Sequence, residues 1–239
     1  MAPVIRGNSL YTIVDGPSWT QAETNARSIG GNLAGINDAS ENTFIYENFG
    51  PETQNGHRGG LWIGYFTPTI KTQWQWANTD ATLYTNWISG QGLIEDYYGY
   101  IGNNRAVDGQ YVHMLGPYSN QVGFLTGELG QWNDFPNNPT KDIQWGAQYE
   151  LNLGIAETPF IRRGDSAYVI VSGPTWAEAE ANAVKLGGHL VTINDSEEQM
   201  HIDKVLETTT PEKLYKDPYY SGFTLKNYGV PFWIGINDT

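Results

Sequence analysis

The 239-residue chain is expected to form an α+β protein. Two helices should pack on short antiparallel sheets, with a long loop region after them and the same opening then begun again. Three observations predict this. Residues 7–41 and 164–198 share nineteen of thirty-five positions without a gap, so the chain holds an internal repeat. Within each copy the apolar period switches from that of a strand to that of a helix and back. Finally, 28 Gly and 12 Pro among nine Trp and fifteen Tyr indicate a turn-rich, aromatic fold rather than a helical bundle.

The first run, residues 9–14, is β-branched and aromatic and ends at Asp15-Gly16-Pro17, so it reads as a strand and a turn. Ser18 opens a helix with Gln21 three positions on, a capping box that the second copy rewrites as Thr175 and Glu178. Trp19, Ala22, Ala26 and Ile29 lie at helical spacing and form its buried stripe. Gly30-Gly31 stops this helix, and Gly187-Gly188 stops its counterpart. A strand over 33–36 leads to a second helix capped at Asp38, with Glu41 behind it. Trp62-Ile63-Gly64 follows, and short strands are expected around Trp74 and Trp76, over 84–87, 111–115 and 147–153. Between them, residues 88–110 have the length and composition of a functional surface loop.

The second copy reaches the same tripeptide at Trp233-Ile234-Gly235 and the sequence closes at Thr239. The expected organisation is therefore a complete domain over 4–154, a linker over 155–160, and the N-terminal half of a second domain over 161–239.

Composition narrows the partners. A net charge of −13 argues against nucleic acid and anionic membrane surfaces, which need positive potential. It is compatible with divalent cations. With no cysteine, disulfides, thiolate zinc sites and Cys nucleophiles are excluded together. No signal peptide is visible in the opening residues, and no apolar run is long enough for a spanning helix.

Taken in order, the strand-helix-strand-helix opening, Trp62-Ile63-Gly64, Trp74-x-Trp76, Tyr84-Thr85-Asn86-Trp87, Tyr111-Val112-His113-Met114, Trp132-Asn133-Asp134 and Tyr149-Glu150-Leu151 resemble the C-type lectin-like domain. The resemblance covers residues 9–153 and again the stretch from 166 to the end. It implies a disulfide between the first helix and the last strand. Ala26 and Tyr149 stand at those positions, so contact between a small and a large side chain is expected there instead. A cysteine-free version of this kind suits a bacterial or phage protein.

The resemblance also implies a calcium site at which sugar hydroxyls complete the metal's shell. Calcium takes about six to eight oxygens, so several carboxylates and amides must converge. Asn133 and Asp134 match that site. The preceding loop reads Gly90-Gln91-Gly92-Leu93 without the family's proline, and Gly109 stands where a Glu is usual, leaving three of the five protein ligands unmatched. Replacement carboxylates are available in Glu95, Asp96 and Asp108. The candidate metal set is thus Asn133, Asp134, Glu95, Asp96 and Asp108. The candidate ligand set is Asn133, Asp134, Gln91, Tyr97 and Tyr98, the tyrosines offering flat faces to sugar rings.

No nucleophile elbow, Walker loop or His-Glu-x-x-His is present, and an enzyme is not expected. Arg163-Gly164-Asp165 mirrors Arg6-Gly7-Asn8 and reads as a repeated turn rather than an adhesion motif. The Asn194-Asp195-Ser196 sequon coincides with a helix cap, Glu197-Glu198 reads as helix surface, and His113 as a surface or structural residue. The expected function is non-enzymatic recognition of a glycan or surface protein, extracellular, on a cell surface or on a virion. The alternative is a structural or adhesion module of a virion or surface assembly.

Overall fold

The computed structural model describes residues 2–50, 60–68, 73–78, 82–88, 92, 110–116, 130–137, 151–209 and 232–235. Two compact units divide the chain, Met1–Ile170 and Val171–Thr239.

The first unit opens with a hairpin of β1 (Val4–Arg6) and β2 (Ser9–Asp15), turned by Gly7 in the left-handed region at φ +61°. Helix α1 (Trp19–Ser28) begins at Ser18, whose hydroxyl accepts the Gln21 N–H. It ends in a Schellman arrangement: Gly31 N–H reaches the Ala26 carbonyl and Gly30 N–H that of Arg27, with Gly30 at φ +83°. The predicted stripe of Trp19, Ala22, Ala26 and Ile29 is buried. The strand after it, β3 (Asn32–Leu33), is shorter than expected, and α2 (Ala39–Phe49) is capped by Asp38 on the Glu41 N–H. Then come β4 (Leu61–Phe66), β5 (Gln75–Trp76), β6 (Tyr111–Met114), β7 (Trp132–Phe135) and β8 (Leu153–Pro159). Residues 84–87 form no strand beyond a bridge from Trp87 to Trp132.

These strands make one sheet in the order β1-β2-β8-β4-β6-β7, with β3 on β8 and β5 on β4. The linker expected over 155–160 is instead most of β8, the strand at the centre of that sheet. It pairs antiparallel with β2 from Ser9↔Pro159 to Asp15↔Leu153 and touches β4 at Trp62↔Gly154. Burial on both faces explains why alternation did not reveal it: Gly154, Ile155 and Ala156 are buried in succession. Pro159 ends the strand, where a missing N–H is tolerated. The last strand expected over 147–153 starts, among described residues, only at Leu153, and Tyr149 lies outside them. A side chain at Gly154 would stand 2.7 Å from Leu33 Cδ2 and 3.0 Å from Ala22 Cβ, so glycine lets α1, β3 and β8 close together.

A buried carboxylate, Glu41, and a half-buried one, Glu157, come together where α2 meets the sheet. Tyr11 donates its hydroxyl to Glu41 Oε1 at 2.5 Å and lies 3.1 Å from Glu157 Oε1, which also accepts from Ser9 Oγ at 2.9 Å. Arg6 faces Glu41 at 3.4 Å and Asp38 at 3.7 Å. Burial raises the Glu157 pKa and the Glu41 charge adds to the rise, while bonds from Ser9, Tyr11 and the Gly35 backbone oppose it. A carboxyl raised on folding favours the folded state most while it is protonated in both states. That contribution is lost as pH climbs through the folded value. Glu157→Gln is therefore expected to raise the urea midpoint at neutral pH, by an amount that vanishes on acidification through the ordinary carboxylate range. A variant with the same midpoint as the parent at every pH would contradict it.

Two further elements complete the first unit, β9 (Ile161–Arg163) and β10 (Ser166–Tyr168). Their turn holds Gly164 at φ +56°, as the matching Arg6-Gly7-Asn8 turn led us to expect. The second unit contains α3 (Trp176–Lys185) and α4 (Ser196–Thr209). Thr175 caps α3 on the Glu178 N–H, and Asp195 accepts the Glu198 N–H at the start of α4. One reading of this unit is corrected. Glu198 is buried, because its carboxylate turns inward to accept the Asn194 N–H at 2.9 Å. Ala179 and Ala183 of the stripe on α3 are buried as well, while Trp176 and Leu186 are half-exposed.

Candidate ligand face at strand β7

Strand β7 carries both matched site residues, and β6 beside it decides where they point. Asn133 lies opposite His113 and Asp134 opposite Val112. Successive side chains of a strand leave on opposite faces. Asn133 accordingly points inward, only 4% exposed, with Nδ2 at 3.1 Å from His113 Nε2. His113 is wholly buried, edge-on to Trp62 and Phe135. Burial drives its pKa down to about 3, opposed by a backbone hydrogen bond at Met114, so the ring is neutral at physiological pH. An amide nitrogen can only donate, which leaves Nε2 as acceptor and the ring proton on Nδ1. The His113 ambiguity thus resolves to a structural residue.

Asp134 is half-buried on the other face, where Oδ1 accepts the Gly92 N–H at 3.4 Å. Gly92 is fastened a second time, its carbonyl accepting Trp74 Nε1 at 2.9 Å. Its backbone lies on the Trp87 ring so closely that a Cβ would come within 2.2 Å of the indole. Trp74 and Trp87 are 5.1 Å apart by ring centroid, and Tyr65 stacks on Trp74 and Trp76 at 5.6 and 4.3 Å. Beneath them Trp132 is fully buried, its Nε1 donating to Asn42 Oδ1 at 2.8 Å. Trp74, Trp76, Tyr84 and Trp87 keep partial exposure. The tryptophans therefore divide into a buried floor and a half-open upper layer. Their spacing in sequence shows only that they are aromatic and clustered.

The arrangement offers indole edges and faces beside one carboxylate. It does not by itself hold a calcium ion. Asn133 is committed to His113, and among the described residues no group of three or more His or acidic side chains could hold a metal. Gln91, Glu95, Asp96, Tyr97, Tyr98 and Asp108 lie outside the described residues.

Residues 15–136 match the profile of the Lectin C-type domain. The chain belongs to the C-type lectin domain family. Relatives include a "Perlucin-like protein" of Mytilus galloprovincialis, 29% identical over 35% of this chain and 53% of its own length. A "C-type lectin" of Cerberus rynchops is 27% identical over 51% of this chain and 65% of its own. The "Secretory phospholipase A2 receptor" of Homo sapiens is 26% identical over 37% of this chain and 6% of its own. The chain thus spans about half the length of the perlucin-like relative and a small part of the receptor. Solved neighbours include the cow carbohydrate-recognition domain of CD23, at 20% identity and TM-score 0.46, covering 67% of this chain and 95% of that one. A calcium-independent type II antifreeze protein follows at 17% and 0.45, covering 67% and 93%. C-type lectin domains are recognition modules rather than enzymes, and the α+β fold expected for this chain is the family's own. No helix among the described residues is long and apolar enough to cross a membrane.

Proposed function

We propose that the first unit is an extracellular or surface carbohydrate-recognition module whose ligand face is the β7 side of Asp134, Trp74 and Trp87. The observation that carries this is the half-buried Asp134 carboxylate beside two half-exposed indoles. A sugar ring presents apolar C–H faces to an aromatic plane and hydroxyl donors to a carboxylate, so this pairing suits it. Gln91, Tyr97 and Tyr98 would extend the face from the loop after Ile88. Calcium would be held by Asp134 with Glu95, Asp96 and Asp108, since Asn133 must leave His113 before it can join them.

The test is a glycan array probed with the full chain, with and without chelator, beside calorimetry of calcium uptake. Asp134→Ala is expected to weaken glycan binding by about 2 kcal/mol, roughly thirtyfold, the scale of charge-assisted bonds to hydroxyls. Trp74→Phe, which keeps a ring and drops the Gly92 anchor, should weaken it less. A chain that retains no glycan under either condition would refute the reading. The structural or adhesion role would then take its place, for which the half-exposed apolar residues of the second unit speak.

A further inference from the structure

The second unit repeats three framework bonds of the first. Leu190 N–H donates to Glu180 Oε2 at 2.9 Å, as Leu33 N–H does to Glu23 Oε2 at 2.8 Å. Gly235 N–H reaches the Val191 carbonyl at 2.9 Å, as Gly64 N–H reaches that of Ala34 at 2.9 Å. Trp176 Nε1 donates to the Ile234 carbonyl at 2.7 Å, matching Trp19 and Ile63 at 2.8 Å. What differs is what lies on top. In the first unit Ala34 N–H donates to the Ile155 carbonyl of β8 at 2.8 Å, and Leu33 pairs with Ala156. In the second, among the described residues, nothing accepts the Val191 N–H and no strand lies along Leu190 and Val191.

Burial follows the same difference. Leu33, Ala34, Ile36 and Trp62 are fully buried in the first unit, whereas Leu190, Val191 and Ile193 are half-exposed and Trp233 is 50% exposed. The Trp233 indole instead reaches the Gly173 carbonyl at 3.1 Å. Gly173 corresponds to Gly16, which in the first unit donates to Asn152 at the entrance of β8.

We propose that the second unit is a strand-accepting site. It takes an extended segment of β8's chemistry, which pairs with Leu190 and Val191 and crosses α3. The repeat specifies the occupant. It must offer a carbonyl to Val191 N–H, as Ile155 does to Ala34. It must be apolar where Ile155 is buried, and it must carry glycine at the Gly154 position. That last requirement arises because Leu190 and Ala179 stand where Leu33 and Ala22 exclude a side chain in the first unit. Main-chain bonds supply attraction and the glycine supplies selectivity. Trp233 leaves Gly173 as the strand enters.

The probe is a peptide of this chain's own residues 151–160, added to the full chain. Saturable binding is expected, with slowed hydrogen exchange at Leu190 and Val191. A peptide carrying Gly154→Leu should bind at least about tenfold more weakly, since an overfilled close contact cannot relax. Altering the peptide leaves the folding of the chain untouched, so a loss of binding reports on the site. Absence of binding overturns the proposal, as does equal binding by the Gly154→Leu peptide. A chain that dimerises without peptide and protects the same amides also overturns it, making a second copy the occupant.

Discussion

A chain ended at Gly154 is expected not to form the first unit, whereas one ended at Ile170 forms it with a cooperative melt. Sequence alone put the domain boundary at 154, but that cut leaves only Leu153 and Gly154 of β8. What is lost is the middle of the sheet. β8 lies between β2 and β4, pairs with β2 along all seven of its residues, and holds β3 through Leu33↔Ala156. Without it the backbone groups of β2 lose their partners on one side, and buried unpaired amides are costly. Ile155 and Ala156, both wholly buried, go too, leaving Leu33 uncovered. Removing one large buried aliphatic side chain costs about 2–5 kcal/mol, against about 5–15 kcal/mol for a whole domain. Circular dichroism and a dye that binds exposed apolar surface would distinguish the two chains. If the shorter one melts as sharply and as late as the longer, β8 is not the centre of this fold.

The sequence was most readable where the physics is local. Ser18, Asp38 and Thr175 were placed correctly as caps because a cap answers to an N–H three residues away. Gly30 and Gly187 declared the helix ends because only a residue without Cβ takes their positive φ easily. The order of motifs disclosed the family. Structure set by distant partners stayed hidden. β8 is a strand because β2, more than a hundred positions earlier, pairs with it, and its Glu157 and Pro159 look like loop residues until Tyr11 and Ser9 are placed beside them. Glu198 looked like surface for the same reason. At the ligand face, Asn133-Asp134 was legible as a pair, but that the two side chains part company, one to His113 and the other to Gly92, depends on the pairing of β7 with β6.

Trp132→Ala is expected to cost the first unit about 3–5 kcal/mol, the range for deleting a fully buried aromatic. The ring has no exposure and is surrounded edge-on by Trp76 at 5.6 Å, Tyr84 at 5.7 Å and Trp87 at 5.9 Å, with Tyr65 also at 5.9 Å. Its backbone is tied on both sides, N–H to the Asn86 carbonyl at 2.8 Å and carbonyl to the Ile88 N–H at 3.0 Å. Those bonds survive the substitution, so the loss is packing plus one polar debt: Asn42 Oδ1, buried, is left without the indole N–H. Trp132→Phe separates the two. It keeps most of the ring, forfeits the Asn42 bond, and should cost about 1–2 kcal/mol, the scale of a buried acceptor left unmet. Both changes reach the ligand face, because Trp87 bridges to Trp132 and Asp134 stands two residues along the same strand. Urea unfolding followed by near-ultraviolet circular dichroism reads the stability, and glycan retention by the folded variants reads the face. The expected ranking is parent, then Phe, then Ala in both measurements. If Ala proves no worse than Phe, the cavity term is absent and Trp132 is not what supports the half-open layer above it.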